Sequence, residues 1–165
     1  MIAFRTHLIP GDSQNIVKLL ESTGFFHNYE IEVAKELSDL NLEKGAEASG
    51  YYFIVAHESG EMLGYCCYGH NPCTESSYDL YWIAVRKDQM GHGVGRKLMT
   101  LAEQSVVNLG GSIVWVETSG RAIYESTRAF YLAIDYEKVA VMPDFYAPGD
   151  DKIVFMKRVI PPQLS

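Results

Sequence analysis

A glycine-rich segment, MGHGVG at residues 90–95, constrains the fold more than any other feature of the chain because it joins two different periodicities. The residues before it, DLYWIAV at 79–85, form a nearly continuous β-branched and aromatic run, typical of a strand buried on both faces. After it, apolar residues recur at helical spacing from Val94 to Leu109, and Gly110-Gly111 end the pattern. A second apolar run, SIVWVETS at 112–119, predicts the next strand. The centre of the chain is therefore predicted to be a strand, a glycine loop, a helix and a strand in succession.

Three glycines at one strand-to-helix junction indicate a backbone that turns tightly or is approached closely by a ligand. A helix that begins there presents its first N–H groups and the positive end of its dipole, which attract anions such as phosphate. Arg96 and Lys97 add positive charge one turn into the helix. The alternative is a tight turn that holds no ligand. Two known phosphate motifs are excluded, because the segment has neither the GxxxxGK[ST] nor the G-x-G-x-x-G spacing.

The flanking sequence predicts further helices and strands. Asp12-Ser13 are predicted to cap a first helix that ends at Gly24, and Gly45 closes a second helix that begins at Asn28. The remaining patterns are strands at 2–9, 137–146 and 152–159, a hairpin at 51–69 and a helix at 121–136. Together they predict one α/β domain over residues 1–165.

The charge and hydropathy of the chain restrict the class of protein. Its formal charge of −7 argues against a nucleic-acid partner, whose phosphates need neutralising, and suits a cationic partner. No apolar run approaches the roughly 20 residues that span a bilayer, and the N-terminus has no leader pattern. We therefore expect a cytoplasmic protein that binds neither nucleic acid nor membrane.

The three cysteines, Cys66, Cys67 and Cys73, form a local group. Adjacent Cys66 and Cys67 would point to opposite faces of a strand, so they cannot easily bind one metal ion. We expect all three to be reduced, buried thiols, and we expect no metal site.

The segment at 90–95 resembles the coenzyme A loop of the GNAT-type N-acetyltransferase superfamily, in which a strand is followed by (Arg/Gln)-x-x-Gly-x-(Gly/Ala). The resemblance extends over residues 79–158. DLYWIAV looks like the central strand of the family, and VWVETS like the next one. AFYLAIDYEKVA looks like the end of a family helix, and DFYAPGDDKIVFMKRV like the last hairpin.

The chain departs from the family pattern at three positions. Met90 stands where the family usually has Arg or Gln, although Gln89 precedes it. Asp135 replaces the usual Gly before an aromatic residue, and Tyr124 stands where Asn is common. None of these changes removes the backbone N–H groups that would hold a phosphate.

The resemblance implies an α/β (α+β) fold with a mixed, mostly antiparallel sheet of about six or seven strands flanked by helices. The sheet is expected to splay between the strand at 79–85 and the strand at 112–119. The resemblance also implies acetyl-CoA as the acyl-donor cosubstrate, with no metal. The cofactor-binding residues that it implies are Ile83, Ala84, Val85, Met90, Gly91, His92, Gly93, Val94, Gly95, Arg96 and Tyr124.

Acetyl transfer to an amine requires a group that removes a proton from the ammonium and an acid for the departing thiolate. Glu117, at the end of an apolar run, is the predicted base, and we expect it to be partly desolvated. Tyr131 matches the family tyrosine that serves as the acid, with Tyr124 as the fallback. The alternatives are a solvated strand-end carboxylate for Glu117 and a core aromatic for Tyr131.

Asp144 and Tyr146, in the acidic and aromatic final hairpin, are the residues that the resemblance places at the acceptor mouth. The alternative is a solvated turn around Pro148-Gly149.

The predicted function is an acetyl-CoA-dependent N-acetyltransferase acting by direct transfer on a small amine or on a peptide or protein amino group. A cysteine-linked route through Cys66 or Cys67 is the less favoured mechanism. The other functional classes are a catalytically silent acyl-CoA-binding module and an acyltransferase that uses another acyl-CoA. Family members are often dimers, so a homodimer is a further expectation.

Overall fold

The computed structural model describes residues 1–159, so residues 160–165 of the predicted domain lie outside the description. Among the described residues, two 3₁₀ turns, Lys87–Gln89 and Ala122–Tyr124, each precede an α-helix. The elements in chain order are β1 (Ala3–Arg5), α1 (Asp12–Thr23), α2 (Asn28–Lys44), α3 (Ala46–Ser49), β2 (Tyr52–Glu58), β3 (Glu61–His70), β4 (Ser77–Val85), α4 (Val94–Asn108), β5 (Ile113–Ser119), α5 (Glu125–Ala133), β6 (Glu137–Ala147) and β7 (Asp150–Arg158). Within residues 1–159, no helix is long and apolar enough to cross a membrane.

Seven strands form one sheet in the order β1-β2-β3-β4-β5-β7-β6. The pairs β1–β2, β2–β3, β5–β7 and β6–β7 are antiparallel, whereas β4–β5 is parallel. The β4–β5 register runs from Ser77 opposite Ile113 to Leu80 opposite Val116, although β4 continues to Val85. The predicted mixed, mostly antiparallel sheet is confirmed, and the paired stretch ends early, as a splay between these strands requires.

The chain divides into two units. The first contains residues 1–69 and 81–102, which include β1 to β3, α1 to α3, the end of β4 and the start of α4. The second contains residues 70–80 and the chain from Glu103 onwards, which include the start of β4, β5 to β7 and α5.

The core of the first unit forms where α1 and α2 cover strands of the sheet. On α1, Ile16, Leu19 and Leu20 are buried because their spacing places them on one helical face. From α2, Ile31 and Ala34 join the same cluster. The strand residues in this cluster are Phe53, Val55, Tyr65, Cys67 and Ala84. Removing this apolar surface from water is the main driving force for packing the two helices onto the strands.

The N-terminus of α1 differs from its prediction. The N-cap is Gly11, with a left-handed φ of 95°, and Asp12 is the first helical residue rather than part of the cap. The Asp12 side chain is only 2% exposed and pairs with both terminal nitrogens of Arg5, at 2.6 and 2.8 Å. It also accepts the backbone N–H of Ile9 at 2.8 Å. Asp12 therefore ties β1 to α1 through a buried, charge-assisted network.

In the second unit, α5 and three strands bury an aromatic and aliphatic core. Val114 and Val116 of β5 alternate with more exposed neighbours, and Glu117 is exposed. Along β4, which contributes residues to each unit, only Tyr78, Leu80 and Ala84 are buried. The prediction that the strand at 79–85 is buried on both faces is therefore wrong. The continuous apolar run predicted full burial, but Tyr81 and Trp82 stay partly exposed although their side chains are aromatic.

The cysteine prediction holds for two residues of three. Cys66 and Cys67 lie buried on β3 as free thiols. Cys73 is exposed, with a φ of 64°, so its predicted burial is wrong. It lies in the loop before β4, where the chain needs a left-handed residue.

We expect Asp12→Asn to lower the free energy of unfolding by about 3 kcal/mol, because it breaks a buried ion pair and leaves Arg5 without its anionic partner. Urea denaturation checks this value. Asp39→Asn is the matched control, because Asp39 pairs with Lys35 on the exposed surface of α2 and should cost under about 1 kcal/mol. Equal losses in the two variants would contradict the role of Asp12.

Candidate functional site

The close approach of three elements at Gly64 positions the start of α4. A Cβ at this residue would lie 2.9 Å from the carbonyl oxygen of Ala84 and 3.3 Å from a methyl of Val85. It would also lie 3.4 Å from a methyl of Leu98 on α4. The Cys66 thiol lies 3.9 Å from the Leu98 carbonyl oxygen. The missing side chain at Gly64 therefore allows β3, the end of β4 and α4 to pack together.

The glycine loop joins β4 to α4 through backbone conformations that favour glycine. Gly91 and Gly93 have φ values of 78° and 82°. A Cβ at either position would meet no protein atom within 4 Å. The Lys97 N–H donates to the Gly93 carbonyl at 3.0 Å, as the first turn of α4 begins. Residues 94–96 form the first turn of α4, so their N–H groups lie at the positive end of this helix.

The first unit contains ten of the eleven predicted cofactor-binding residues. Met90, Gly91, His92, Gly93 and Arg96 are exposed, whereas Val94 is only 3% exposed. The Val94 side chain therefore belongs to the core, and only its backbone is available to a ligand. Ile83, Val85 and Gly95 are partly buried, and Ala84 is buried.

Tyr124 is the predicted cofactor-binding residue that lies in the second unit. It ends the 3₁₀ turn before α5, where the guanidinium carbon of Arg121 lies 5.4 Å from its ring centroid. This cation–π contact orients the ring locally.

The loop has the properties that phosphate binding requires. It combines exposed backbone, first-turn N–H groups, the positive end of a 15-residue helix, and the side chains of Arg96 and Lys97. The left-handed φ values are also consistent with the alternative of a tight turn. The chemistry of the loop therefore fits a phosphate-bearing ligand such as coenzyme A.

Glu117 extends from β5 and pairs with a lysine of β7. Its carboxylate lies 2.9 Å from the Lys152 ammonium. The Glu117 side chain is 55% exposed, so its carboxylate remains accessible to water. Lys152 is only 12% exposed, and its ammonium also lies 4.1 Å from the ring centroid of Phe145. The base role of Glu117 stays a prediction.

Asp79 is a carboxylic acid that the sequence analysis missed. It lies at the start of β4, opposite Trp115 in the register with β5, and accepts a hydrogen bond from the Asn71 amide at 2.7 Å. Burial raises the pKa of Asp79 above its ordinary value, and the charge of Glu117 adds to this shift. The Asn71 hydrogen bond and the charges of His70 and Lys152 oppose it without reversing it. The alternation of side chains along two parallel strands would have indicated it. Ser77 and Asp79 share one face of β4, and Trp115 and Glu117 share the corresponding face of β5.

Asp79 and Glu117 line a common pocket, which we call the Asp79 pocket. It lies within the second unit and has a volume of about 280 Å³. The Trp115 indole N–H donates to the Ser77 hydroxyl at 3.1 Å, which fixes the ring. The lining residues are Asn71, Thr74, Ser77, Asp79, Trp115, Glu117 and Val154.

Tyr131 lies in the core of the second unit. Its side chain is 4% exposed, and its ring centroid lies 5.6 Å from Phe155 and 5.8 Å from Tyr136. The next turn places Asp135 at a φ of 68°, a left-handed conformation that glycine adopts most readily. The burial of Tyr131 favours the core-aromatic alternative, and its acid role stays a prediction.

The predicted acceptor residues lie on the hairpin formed by β6 and β7. The Asp144 carboxylate accepts the Gly149 N–H at 2.6 Å, and the Asp144 N–H donates to Asp151 at 2.9 Å. Asp144 thus shapes the turn, as the solvated-turn alternative proposes. Tyr146 is 46% exposed, with its ring edge-on to Phe145. Their contact with an acceptor stays a prediction.

The buried cysteines are poor nucleophiles. Burial raises the pKa of Cys66 to about 12 and that of Cys67 well above its ordinary value. Because the thiolate is the reactive form, these thiols are unsuited to carry an acyl group at neutral pH. Within residues 1–159, no three His, Cys, Asp or Glu side chains are grouped as metal ligands would be.

Comparison with known proteins gives a family match and similar solved structures. The sequence profile described as the acetyltransferase (GNAT) family matches residues 16–133. A crystal structure from Desulfovibrio desulfuricans, described as belonging to the same family of acetyltransferases, is 43% identical to this chain. It covers 97% of this chain and 100% of its own, with a TM-score of 0.94. No curated protein matches the chain significantly.

Two more distant structures share the fold alone. An aminoglycoside 6'-N-acetyltransferase complexed with coenzyme A is 16% identical, with 98% of each chain covered and a TM-score of 0.74. The ribosomal-protein-S18-alanine N-acetyltransferase from Escherichia coli is 17% identical. That match covers 100% of this chain and 99% of the other, again with a TM-score of 0.74.

We expect Gly64→Ala to destabilise the protein by about 1–3 kcal/mol, because the added methyl would lie 2.9 Å from the backbone oxygen of Ala84. Thermal unfolding measures the effect. Gly120→Ala is the control, since its Cβ would come no nearer than 3.4 Å to any neighbour, at Asp151. A Gly64→Ala protein as stable as the Gly120→Ala protein would contradict the close approach of β3, β4 and α4.

Proposed function

The chain belongs to the acetyltransferase (GNAT) family, and we propose that it transfers the acetyl group of acetyl-CoA to a primary amine by direct attack in a ternary complex. The observation that carries the proposal is the glycine loop, which opens α4 with exposed backbone and left-handed glycines directly after a strand and a 3₁₀ turn. The buried, weakly acidic thiols of Cys66 and Cys67 support direct transfer over a cysteine-linked route.

The residues proposed to hold acetyl-CoA are those of the loop and the end of β4. The N–H groups of residues 94–96 and the charges of Arg96 and Lys97 would bind the pyrophosphate. The backbone of Ile83, Ala84 and Val85 would hydrogen-bond the pantetheine arm, and Tyr124 would contribute a further contact. When bound, acetyl-CoA supplies an acyl thioester whose carbonyl carbon is open to attack by a neutral amine.

The chain's own groups are proposed to manage two protons. Glu117, held by Lys152, would receive the proton that the acceptor ammonium must lose before it can attack. Tyr131 would return a proton to the departing sulfur. The acceptor is proposed to be a small amine or a peptide or protein amino group.

One observation favours a second candidate function, a catalytically silent module that binds acyl-CoA. Tyr131 is 4% exposed and packed among Phe155 and Tyr136, so a hydroxyl that must reach a sulfur atom is instead held in the core. Binding of acetyl-CoA without acetylation in a screen of amine acceptors would favour this candidate over the enzyme.

We expect acetyl-CoA and free CoA, but not ATP, to raise the melting temperature of the wild-type protein by several degrees. Gly93→Ala should raise the Kd for both CoA species at least fivefold. The added methyl would project from a left-handed residue into the space before the helix start, where the pyrophosphate would lie. Thermal-shift titration measures both effects.

Gly60→Ala provides the matched control for this measurement. Gly60 has a φ of 83°, almost equal to that of Gly93, and no protein atom within 4 Å of its Cβ position. It lies in the turn between β2 and β3, so it carries the same backbone strain without altering the loop. Equal CoA affinity in the two variants, or no shift of the wild type at millimolar acetyl-CoA, would reject the loop as the CoA site.

We expect Glu117→Gln and Tyr131→Phe each to lower kcat/KM by at least tenfold, because each removes a group that moves a proton during transfer. The measurement is kcat/KM against pH with an amine found in the acceptor screen. Values within a factor of three of wild type for both variants would reject the assignment. Tyr131→Phe with normal kcat/KM but a changed melting temperature would identify the ring as a packing residue.

A further inference from the structure

The Asp79 pocket contains two carboxylates in unlike surroundings. Glu117 is paired at 2.9 Å with Lys152, whose ammonium is largely buried and also lies against the Phe145 ring. Asp79 accepts a hydrogen bond from the neutral Asn71 amide. Within residues 1–159, no lysine, arginine or histidine nitrogen pairs with Asp79 as an ion pair.

Asp79, Glu117 and Lys152 together carry a formal charge of −1. The Lys152 ammonium pairs with Glu117, and both it and His70 act on Asp79 only from beyond ion-pair distance, so Asp79 carries most of the remaining negative charge. Burial of a carboxylate without a cationic partner is costly, and an ammonium ligand offsets that cost by a charge-assisted hydrogen bond. A second ammonium on the same ligand would meet the Glu117 carboxylate, which is already paired with Lys152.

The rest of the pocket is shaped for an uncharged body. Trp115 and Val154 supply apolar surface, and the Trp115 ring is fixed by its hydrogen bond to Ser77. The Asn71 backbone N–H donates to the Ser77 carbonyl at 2.9 Å, so the loop before β4 holds the Asn71 side chain against Asp79. One carboxylate oxygen of Asp79 is thereby oriented by an amide, and the other can accept from a ligand.

We infer that Asp79 binds the ammonium group of the acceptor and that the pocket selects amines with a single positive charge on an apolar body. This inference rests on the proposed amine acetylation, but it concerns the acceptor rather than the acyl donor. It predicts that a monoamine binds better than a diamine of the same chain length.

The first test is a binding measurement that needs no catalysis. The chain has two tryptophans, Trp82 in the first unit and Trp115 in the pocket, so the two indole N–H resonances provide a reporter and an internal control. Hexylamine should shift the Trp115 resonance, assigned with Trp115→Phe, and leave that of Trp82 unchanged. Hexanol, which lacks the charge, should shift neither.

Asp79→Asn tests the carboxylate. It should weaken hexylamine binding at least tenfold while leaving the Kd for acetyl-CoA unchanged. Asp135→Asn is the matched control, because Asp135 lies outside the pocket and its left-handed conformation also suits Asn. Hexylamine binding that is the same in Asp79→Asn as in wild type would overturn the inference.

Lys152→Met tests the charge count. It removes the ammonium that offsets Glu117 while keeping a side chain of similar length, so the affinity for 1,6-diaminohexane relative to hexylamine should rise at least fivefold. Lys152→Gln repeats the test if the Met variant alters the indole spectrum. A ratio that is unchanged in the folded variant would overturn the selection of a single charge.

The outcomes separate this inference from the proposed function. Acetyl-CoA binding and amine acetylation without a hexylamine shift would leave the function standing and overturn the inference. A hexylamine shift that depends on Asp79, in a protein that acetylates no amine, would support the ammonium site and reject the enzyme.

Discussion

The packing at Gly64 is the constraint on which the candidate cofactor region depends. A residue with any side chain there would collide with the Ala84 carbonyl, and β4 or α4 would have to move. Because the missing side chain lets Leu98 approach β3 and β4, the first turn of α4 is held beside the end of the strand. The exposed glycine loop therefore connects two elements that are fixed by packing, and the N–H groups proposed to bind the pyrophosphate have a defined position before any ligand arrives.

In the second unit, the corresponding constraint is the Lys152 side chain. Its ammonium is withdrawn from water, pairs with Glu117 and lies on the Phe145 ring, so it joins β7, β5 and β6. This arrangement gives the two carboxylates of the pocket different properties, since Glu117 is ion-paired with Lys152 whereas Asp79 accepts a hydrogen bond from the neutral Asn71 amide. Charge balance within a small pocket, rather than the number of acidic residues, determines which ligand charge the site accepts.

Much of the fold could be predicted from the sequence because its elements have strong local signals. Helical spacing placed α2 and α4. Gly24 and Gly45 correctly marked two helix ends, since each helix stops at a glycine with a positive φ. The N-terminus of α1 could not be predicted, because Asp12 owes its role to Arg5 on a separate strand. The burial of Tyr131 could not be predicted either, because an aromatic residue on a helix gives the same sequence pattern whether it faces the core or a ligand.

The sequence by itself determined the order of elements, the glycine loop and the resemblance to the family, because all three are encoded by neighbouring residues. Only the tertiary structure decided what surrounds the ionisable groups. The parallel pairing of β4 with β5 sets Asp79 opposite Trp115, and the pairing of β5 with β7 sets Glu117 close to Lys152. Residues 79, 117 and 152 are far apart along the chain, and their burial and charge partners depend on strand register, which no local pattern specifies.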